Sequence, residues 1–392
     1  MTRPVAAPVR GSLTEAAEVH QCATLLIGEG TLDQVGTRAA GWSDTALVVA
    51  DAGMRATGWL DEVLNRCHAA RLRTILHDTV HPNPTVADVE AGLDLGTGHD
   101  VGVIVSVGGG SAHDAAKVIA LIAANGGAVP DYVGTDRSRG RGVPVVAVNT
   151  TAGSGADVSR FAVIGDGTTG RKLVLADRHL TPRLSINDPR TTATLPAAAT
   201  AASGLDALTH AVEAYVSTAA TPSTDVAALR ATELCARYLE RAVQGDDQEA
   251  RAAMMHAAYL AAVAFNTAVV GAVHALSHAL GGAYDLAHGL CNGLLLPAVV
   301  RANLPAATER YADLARVLGV RRASDAAAAE AGVEAMRALG QRVGLPSGFG
   351  ALGVQRSRLP ELARAAADDL CMQTNPRPFT HPELLALYEE SL

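Results

Sequence analysis

The stretch VSVGGGSAHDAAK, residues 105–117, places three consecutive glycines between a β-branched run and an alanine-rich helical pattern. A strand that ends at Val107 would pass through these glycines directly into a helix. Glycines allow backbone N–H groups to approach a phosphate closely, and a helix N-terminus adds favourable positive potential. The spacing differs from the GxGxxG fingerprint, and a glycine-rich turn of this kind can also be a simple connection. The stretch therefore predicts a strand–turn–helix unit and leaves nucleotide binding open.

Similar β-branched runs alternate with helical patterns on both sides of this stretch. One such pattern, over residues 112–124, directly follows the glycines. This alternation is typical of a parallel sheet covered by helices. The strand candidates are residues 46–50, 72–77, 101–107 and 143–148.

The predicted secondary structure changes near residue 195. Before it, the runs 161–164 and 172–176 flank a Gly/Thr turn and predict a hairpin insertion, and residues 184–186 add another strand. After it, long Ala/Leu-rich helical segments follow, and Pro196 suits the first turn of a helix. We therefore expect an α/β N-terminal domain over residues 1–195 and an all-α C-terminal domain over residues 196–392.

Two features strengthen the nucleotide-binding interpretation of the α/β half. The stretch NTTAGSGAD, residues 149–157, follows a predicted strand with small hydroxyl and glycine residues that can wrap a second part of the same nucleotide. Asp51 ends the predicted strand 46–50, where a carboxylate can accept hydrogen bonds from an adenosine ribose and repel a 2′-phosphate. A turn or helix-capping aspartate is the alternative at this position.

Charge and hydropathy exclude several classes of partner. The net charge is −8 with no run of Lys or Arg, so nucleic acid and anionic lipid are not expected partners. The first twenty residues lack the continuous apolar stretch of a secretory signal, which favours the cytoplasm. Residues 252–273 are almost wholly apolar, but they include His256 and Asn266 and are rich in alanine. We expect a buried helix there and no membrane span.

Cysteines and isolated histidines carry no predicted chemistry. The cysteines are odd in number, far apart and never in a CxxC pair, so they are expected to be reduced structural thiols. They are Cys22, Cys67, Cys235, Cys291 and Cys371. The isolated histidines are expected on the surface or in loops, and they are His20, His68, His77, His81, His99, His179 and His381.

A different set of histidines, in the helical half, predicts a metal site. In GLDALTHAVEAY, Asp206 and His210 are spaced i, i+4, which places carboxylate and imidazole on one helix face. In GAVHALSHALGGAYDLAHG, His274 and His278 repeat that spacing, and His288 follows after a Gly-Gly break. A lone buried histidine is usually a satisfied core residue, but several imidazoles on apolar helices need partners. Three imidazoles with a carboxylate form a ligand set for a divalent transition metal.

With these motifs the sequence resembles the iron-containing (group III) alcohol dehydrogenases, most of all the 1,3-propanediol dehydrogenase and butanol dehydrogenase type. The resemblance runs from about residue 25 to the C-terminus. It implies a dehydroquinate-synthase-like fold, in which a nucleotide-binding α/β domain precedes a helical domain. The motifs that carry it are GGGSAHDAAK, TTAGSGADVSRFAVI, RKLVLADRHLTPRLSINDP, GLDALTHAVEAYVS, AFNTAVVGAVHALSHALGGAYDLAHGLCNGLLLP and the closing TNPR.

The same resemblance assigns roles to individual residues. It implies that the metal, usually Fe²⁺ and sometimes Zn²⁺, is held by Asp206, His210, His274 and His288. It implies that Asp51 favours NAD over NADP, that His278 stands beside the substrate without ligating metal, and that Phe265 helps to wall the pocket. The residues expected to line NAD(H) are Gly109, Gly110, Ser111, Asp114, Thr150, Thr151, Ser154 and Lys172. Two departures are mild: Ala287 replaces the usual proline, and residues 153–157 read GSGAD.

The expected activity is that of a metal-dependent, NAD(H)-linked alcohol dehydrogenase or aldehyde reductase acting on a small primary alcohol or aldehyde by hydride transfer. A bound metal would act as a Lewis acid on the substrate oxygen. His278 is then either a proton relay or a structural partner of the site. The substrate can be simple alkyl, a diol, or acid-bearing such as phosphonoacetaldehyde.

Three alternatives to this activity are considered. They are a maleylacetate-reductase-like oxidoreductase, a dehydroquinate-synthase-like lyase, and a silent scaffolding subunit. The lyase would need a pocket rich in Lys and Arg, which the apolar metal helices do not suggest, and a scaffold would have lost metal ligands.

A homodimer or higher homo-oligomer is expected, because relatives commonly assemble in this way.

Overall fold

The computed structural model of the chain describes residues 10–12, 14, 16–168 and 170–392. The chain divides into two compact units. One comprises Gln21–Leu195, and the other comprises Pro196–Leu392 together with the described residues up to His20. Residues 1–9 of the predicted N-terminal domain lie outside the described residues.

The first unit is built on a parallel sheet. In chain order the strands of this unit are β1 (Thr24–Ile27), β2 (Thr45–Asp51), β3 (Arg73–Val80), β4 (Val103–Gly108), β5 (Gly134–Thr135), β6 (Val145–Asn149), β7 (Phe161–Gly165), β8 (Lys172–Ala176) and β9 (Leu184–Asn187). The strand order in the parallel sheet is β1-β9-β6-β4-β2-β3. Central strands such as β4 are wholly buried, which is why they are nearly continuous apolar runs in the sequence, interrupted in β4 by Ser106. The predicted parallel sheet is therefore confirmed.

Helices cover both faces of this sheet. They are α1 (Val35–Ala40), α2 (Trp59–Ala69), α3 (Val86–Gly96) and α4 (Gly110–Asn125). Alternate residues of one strand enter opposite apolar clusters, since Leu47 and Ile104 pack on one face while Val48 and Val105 pack on the other. The glycines after β4 lead directly into α4, as the strand–turn–helix prediction required.

The hairpin insertion is also confirmed. Strands β7 and β8 are antiparallel, with Phe161 opposite Ala176, and β5 adds to β8 to form a separate small sheet. His77 was predicted to be a surface or loop residue, and this prediction is wrong, because His77 is buried on β3 beneath α3. Its Nε2 lies 2.9 Å from the carbonyl oxygen of Asp88.

The second unit is helical. Its helices are α5 (Ala197–Val216), α6 (Pro222–Gln244), α7 (Gln248–Ala268), α8 (Ala272–Tyr284), α9 (His288–Val317), α10 (Asp325–Arg342), α11 (Leu359–Ala367) and α12 (His381–Glu390). The apolar stretch 252–273 is not one helix, because the chain bends by 103° between α7 and α8. Val269 at that bend has a positive φ of 60° with ψ −162°, a backbone conformation that is unfavourable for a β-branched residue. Helix α9 is apolar and long enough to span a membrane, but 56% of its most apolar window is buried and it bends at Ala307.

Small residues let the helices of this unit approach closely. A Cβ on Gly289 would lie only 2.1 Å from the carbonyl oxygen of Ala202 on α5 and 2.9 Å from Cβ of Asp206. The first turn of α9 therefore touches the α5 backbone, and this contact brings His288 to the helix that carries Asp206.

The segment before His20 is attached to the helical unit by polar contacts. The backbone N–H groups of Arg10 and Gly11 donate to Oδ2 of Asp225 at 2.8 and 2.7 Å. The Arg10 guanidinium also pairs with the buried carboxylate of Asp313. These contacts explain why the described residues before His20 belong with the helices and not, as predicted, with the α/β domain.

Candidate metal centre and nucleotide-binding turns

Four predicted ligands converge within the helical unit. Helix α5 carries Asp206 and His210, α8 carries His274, and α9 begins at His288. Oδ1 of Asp206 lies 3.6 Å from Nδ1 of His210, 3.9 Å from Nε2 of His274 and 3.6 Å from Nε2 of His288. Asp206, His210 and His274 are buried, whereas the side chain of His288 is 35% exposed. The structure thus brings together residues that are up to 82 positions apart in the sequence.

These distances fit a shared metal ion. Two atoms that each lie about 2.1 Å from one ion are at most about 4.2 Å apart. The three distances to Asp206 are all below that limit. Asp206, His210 and His274 form the group whose ligand atoms all lie within 4.8 Å of one another, and His288 adjoins this group at Asp206. The donor set of one carboxylate and three imidazoles is suited to a divalent transition metal.

The electrostatics of the cluster favour the same interpretation. Burial lowers the pKa of His210 to about 3 and that of His274 well below its ordinary value, so both imidazoles are neutral and offer a lone pair. Burial raises the pKa of Asp206, and His288 and the amide of Asn292 oppose this effect. A divalent cation would stabilise the buried carboxylate much more strongly than these neutral or partly exposed groups can.

Two further residues of this site were missed by the sequence analysis. Asn292, one turn after His288, donates from Nδ2 to Oδ1 of Asp206 at 2.7 Å. Glu213, seven residues after Asp206 on the same face of α5, lies 2.6 Å from Nδ1 of His274. The i, i+4 and i+7 spacings were the available signals for both.

His278 lies beside the cluster with a partner of its own. Its Nδ1 is 2.8 Å from Oδ2 of Asp369, and its ring stacks on that of His288 with centroids 5.4 Å apart. Burial opposes ionisation of Asp369, but His278 and the N–H of Cys371 together hold its pKa well below the ordinary value. Phe265, the predicted pocket residue, stacks on His210 with centroids 4.4 Å apart.

In the sheet unit, the two glycine-containing turns pack against each other. A Cβ on Gly109 would lie 2.9 Å from Cγ2 of Thr151, and a Cβ on Gly110 would lie 2.8 Å from Oγ of Ser154. These glycines are therefore required by loop packing as well as by any approach of phosphate. The structure brings the turn after β4 and the turn after β6 together, as a shared nucleotide site requires.

Asp51 lies at the same edge of the sheet. Asp51 is the last residue of β2, and β2 pairs with β4. A Cβ on Gly108 would lie 2.7 Å from Oδ2 of Asp51. Its other oxygen accepts the N–H of Gly53 at 3.0 Å, so the turn-forming role weighed from the sequence is present. Burial raises the pKa of Asp51, and the N–H groups of the following turn oppose this shift.

The remaining predicted cofactor residues have different environments. Ser111 donates to the carbonyl oxygen of Pro82, and Nζ of Lys172 donates to Oδ1 of Asn83 at 2.9 Å, so both contact the turn after β3. Asp114 is used by the fold, since Oδ2 accepts the N–H of Val163 at 2.9 Å. Thr150 directs its hydroxyl to Sδ of Met54 at 3.8 Å. The side chains of Asp114 and Thr150 therefore have partners within the fold.

A parallel α/β unit with glycine-rich turns and a helical unit with a histidine–carboxylate cluster are the parts expected of a metal-dependent enzyme that uses a nucleotide cofactor. The profile described as iron-containing alcohol dehydrogenase matches residues 22–189, and that of the C-terminal region of the Fe-containing alcohol dehydrogenase family matches residues 200–392. The chain belongs to the iron-containing alcohol dehydrogenase family.

Individual relatives agree with this assignment. The chain is 42% identical to the NAD-dependent methanol dehydrogenase of Bacillus methanolicus, over 94% of this chain and 97% of that protein. It is 41% identical to the 1,3-propanediol dehydrogenase of Klebsiella pneumoniae, over 88% of this chain and 91% of that protein. The solved structure of a 1,3-propanediol oxidoreductase superposes with a TM-score of 0.93 at 38% identity, over 96% of this chain and all of that one. These matches confirm the predicted family, the dehydroquinate-synthase-like fold and the enzyme class.

Proposed function

We propose that this enzyme interconverts a small primary alcohol and its aldehyde by hydride transfer with NAD(H), at a divalent metal held by Asp206, His210, His274 and His288. The observation that carries the proposal is the convergence of the three imidazoles on one buried carboxylate oxygen of Asp206. When bound, Fe²⁺, or Zn²⁺ as the alternative, supplies Lewis-acid chemistry to the substrate oxygen, and NAD(H) accepts or donates the hydride.

The two halves of the chain take different tasks in this proposal. The unit Gln21–Leu195 forms the dinucleotide-binding domain, and the unit that contains Pro196–Leu392 forms the metal- and substrate-binding domain. Within the first, the backbone of Gly109 and Gly110 at the beginning of α4 binds phosphate, with Thr151 and Ser154 on the facing turn. Ser111 and Lys172 border the turn at residues 82–83, while Asp114 and Thr150 support the site from within the fold.

Asp51 selects the cofactor. Its carboxylate at the end of β2 is suited to accept hydrogen bonds from ribose hydroxyls and to repel a 2′-phosphate. The name of the Bacillus methanolicus relative, an NAD-dependent enzyme, supports this preference.

His278 holds or moves a proton for the substrate. Its Nδ1 is occupied by Asp369, so Nε2 is the ring atom left for exchange with an alcohol or with water. Phe265, stacked on His210, supplies an apolar wall beside the ligands. The cluster therefore combines a cation site, a proton-exchanging imidazole and an apolar surface, which suits a small, weakly polar substrate.

The substrate is proposed to be a neutral short-chain alcohol or aldehyde. Relatives at 37–42% identity are named for methanol, 1,3-propanediol and lactaldehyde. An acid-bearing aldehyde is the second candidate, because a structural relative at 26% identity is a sulfoacetaldehyde reductase. In the helical unit, however, the carboxylate of Asp369 adjoins His278 and disfavours an anionic group there.

A kinetic screen tests the proposal. Protein reconstituted anaerobically with Fe²⁺ is assayed with NADH against propanal, butanal, 3-hydroxypropanal, lactaldehyde, phosphonoacetaldehyde and maleylacetate. Turnover of the neutral aldehydes is expected to exceed that of the acids. Reduction of maleylacetate alone would make the enzyme a maleylacetate reductase, and no NADH oxidation with any of them would contradict the proposal.

The enzyme is further proposed to be a cytoplasmic homodimer or larger homo-oligomer. Strand β1 forms one edge of the main sheet and is only partly buried, so it offers unpaired backbone groups that a second copy would cover. Light scattering at micromolar concentration is expected to give at least twice the mass of one chain. A stable monomer would contradict this assembly.

A further inference from the structure

Glu213 links the two helices that carry Asp206 and His274. It lies on α5, and only 5% of its side chain is exposed. Its Oε2 lies 2.6 Å from Nδ1 of His274 and accepts the N–H of Gly271 at 2.9 Å. Its Oε1 accepts the N–H of Val273 at 2.7 Å. One buried carboxylate therefore contacts three N–H groups at the beginning of α8.

These contacts determine which nitrogen of His274 carries the proton. Both oxygens of Glu213 already face backbone N–H donors, so the carboxylate acts as an acceptor and Nδ1 of His274 donates. The lone pair of the neutral imidazole is then on Nε2, the atom that lies 3.9 Å from Oδ1 of Asp206. The tautomer needed for metal binding is thus fixed by a residue outside the ligand set.

The surroundings of Glu213 leave little freedom for another arrangement. A Cβ on Gly271 would lie 3.0 Å from Oε1 of Glu213 and 2.9 Å from Oδ1 of Asn375. Asn375 accepts the N–H of Ala272 at 3.2 Å, so it also supports the beginning of α8. The side chain of Asn375 forms hydrogen bonds with Ala272, Asn303 and Arg377, and His274 is not among these partners, which makes Asn375 a matched control.

We propose that Glu213 is a positioning residue of the metal centre, which fixes the tautomer and orientation of His274 and thereby raises the affinity for a divalent cation. The inference rests on the proposed metal site and extends it to a residue that binds no metal. Loss of a carboxylate partner behind a metal-binding histidine typically lowers metal affinity about 10–100-fold.

The test compares the wild type with Glu213→Gln and Asn375→Ala, using Zn²⁺ as an air-stable probe. The dissociation constant is measured by competition with a chelator, and melting temperatures are measured with and without Zn²⁺. We expect the Zn²⁺ dissociation constant of Glu213→Gln to rise about 10–100-fold. The increase in melting temperature on adding Zn²⁺ should shrink in this variant, because ligand stabilisation depends on the ratio of concentration to dissociation constant. Asn375→Ala should lower both melting temperatures and keep the wild-type dissociation constant.

A second variant separates the metal effect from misfolding. Glu213→Asp keeps the charge but is one methylene shorter, so its Zn²⁺ dissociation constant should fall between those of the wild type and Glu213→Gln. An unchanged constant in folded Glu213→Gln would overturn the inference, as would an equal loss of affinity in Asn375→Ala. A wild type that binds no Zn²⁺ or Fe²⁺ would instead overturn the proposed metal site, and this inference with it.

Discussion

Nδ1 of His278 lies 2.8 Å from Oδ2 of Asp369, while the ring of His278 stacks on that of His288. His278 therefore has a carboxylate partner distinct from Asp206. The two histidines of α8 differ in this respect, because His274 joins the Asp206 cluster and His278 joins Asp369 and Cys371. The i, i+4 spacing placed both on one helix face, and the partners from other elements assign them to different groups.

Replacement of His278 by alanine should leave the metal in place and reduce catalysis. A positioned proton-exchanging group contributes about 10²–10⁴-fold to the rate, so kcat should decrease by a factor in that range. The measurements are kcat with the preferred aldehyde and metal content by mass spectrometry. His68→Ala, at an exposed position on α2, is the control and should behave as the wild type. Metal loss as large as that of His274→Ala would make His278 a ligand instead.

Asp369→Asn should act through His278. The amide can donate to Nδ1 and so favour the wrong tautomer, which should lower kcat with little effect on metal content. In a His278→Ala background the same substitution should change kcat no further, because the partner is gone. Additive losses in the double variant would show that Asp369 supports the fold at Cys371 and not the imidazole.

Asp51→Gly should relax the cofactor preference. Removal of the carboxylate removes both the ribose acceptor and the charge repulsion, so kcat/KM should rise for NADPH and fall for NADH. Asp61→Gly, in the first turn of α2, changes the net charge equally and serves as the control. Equal use of both cofactors by the wild type would contradict the role of Asp51.

Gly109→Ala should destabilise the sheet unit and raise the KM for NADH. The new Cβ would lie 2.9 Å from Cγ2 of Thr151, and overpacking of this kind costs about 1–3 kcal/mol. Thr151→Ala removes the clashing atoms, so the double variant should recover much of the melting temperature. If Thr151→Ala gives no recovery, the glycine is not required by this contact.

Much of the fold could be predicted because buried parallel strands such as β4 are mostly apolar, β-branched runs, and because the glycines mark the beginning of α4. Strand β1 was not predicted, since it is four residues long, lies at an edge and is only partly buried. The bend between α7 and α8 was missed because Val269 there has a positive φ, which β-branched residues rarely adopt.

In the site, partners on one helix could be predicted from the sequence, whereas partners from distant segments could not. Asp206 with His210, and His274 with His278, could be paired from spacing on one helix. Asp369 could not, because it lies 91 residues after His278 and reaches it only through the folding of the C-terminal segment. The side-chain contacts of Asp114 within the fold were likewise invisible, since a resemblance transfers a position and not a direction.

The metal content of the wild type and of His274→Ala tests the central claim most directly. After reconstitution with Fe²⁺ and removal of excess metal, mass spectrometry should find about one divalent ion per wild-type chain. His274→Ala should lose most of the metal, because the substitution removes one buried ligand. A folded His274→Ala protein that keeps the full metal content and activity would contradict the assignment of the metal centre.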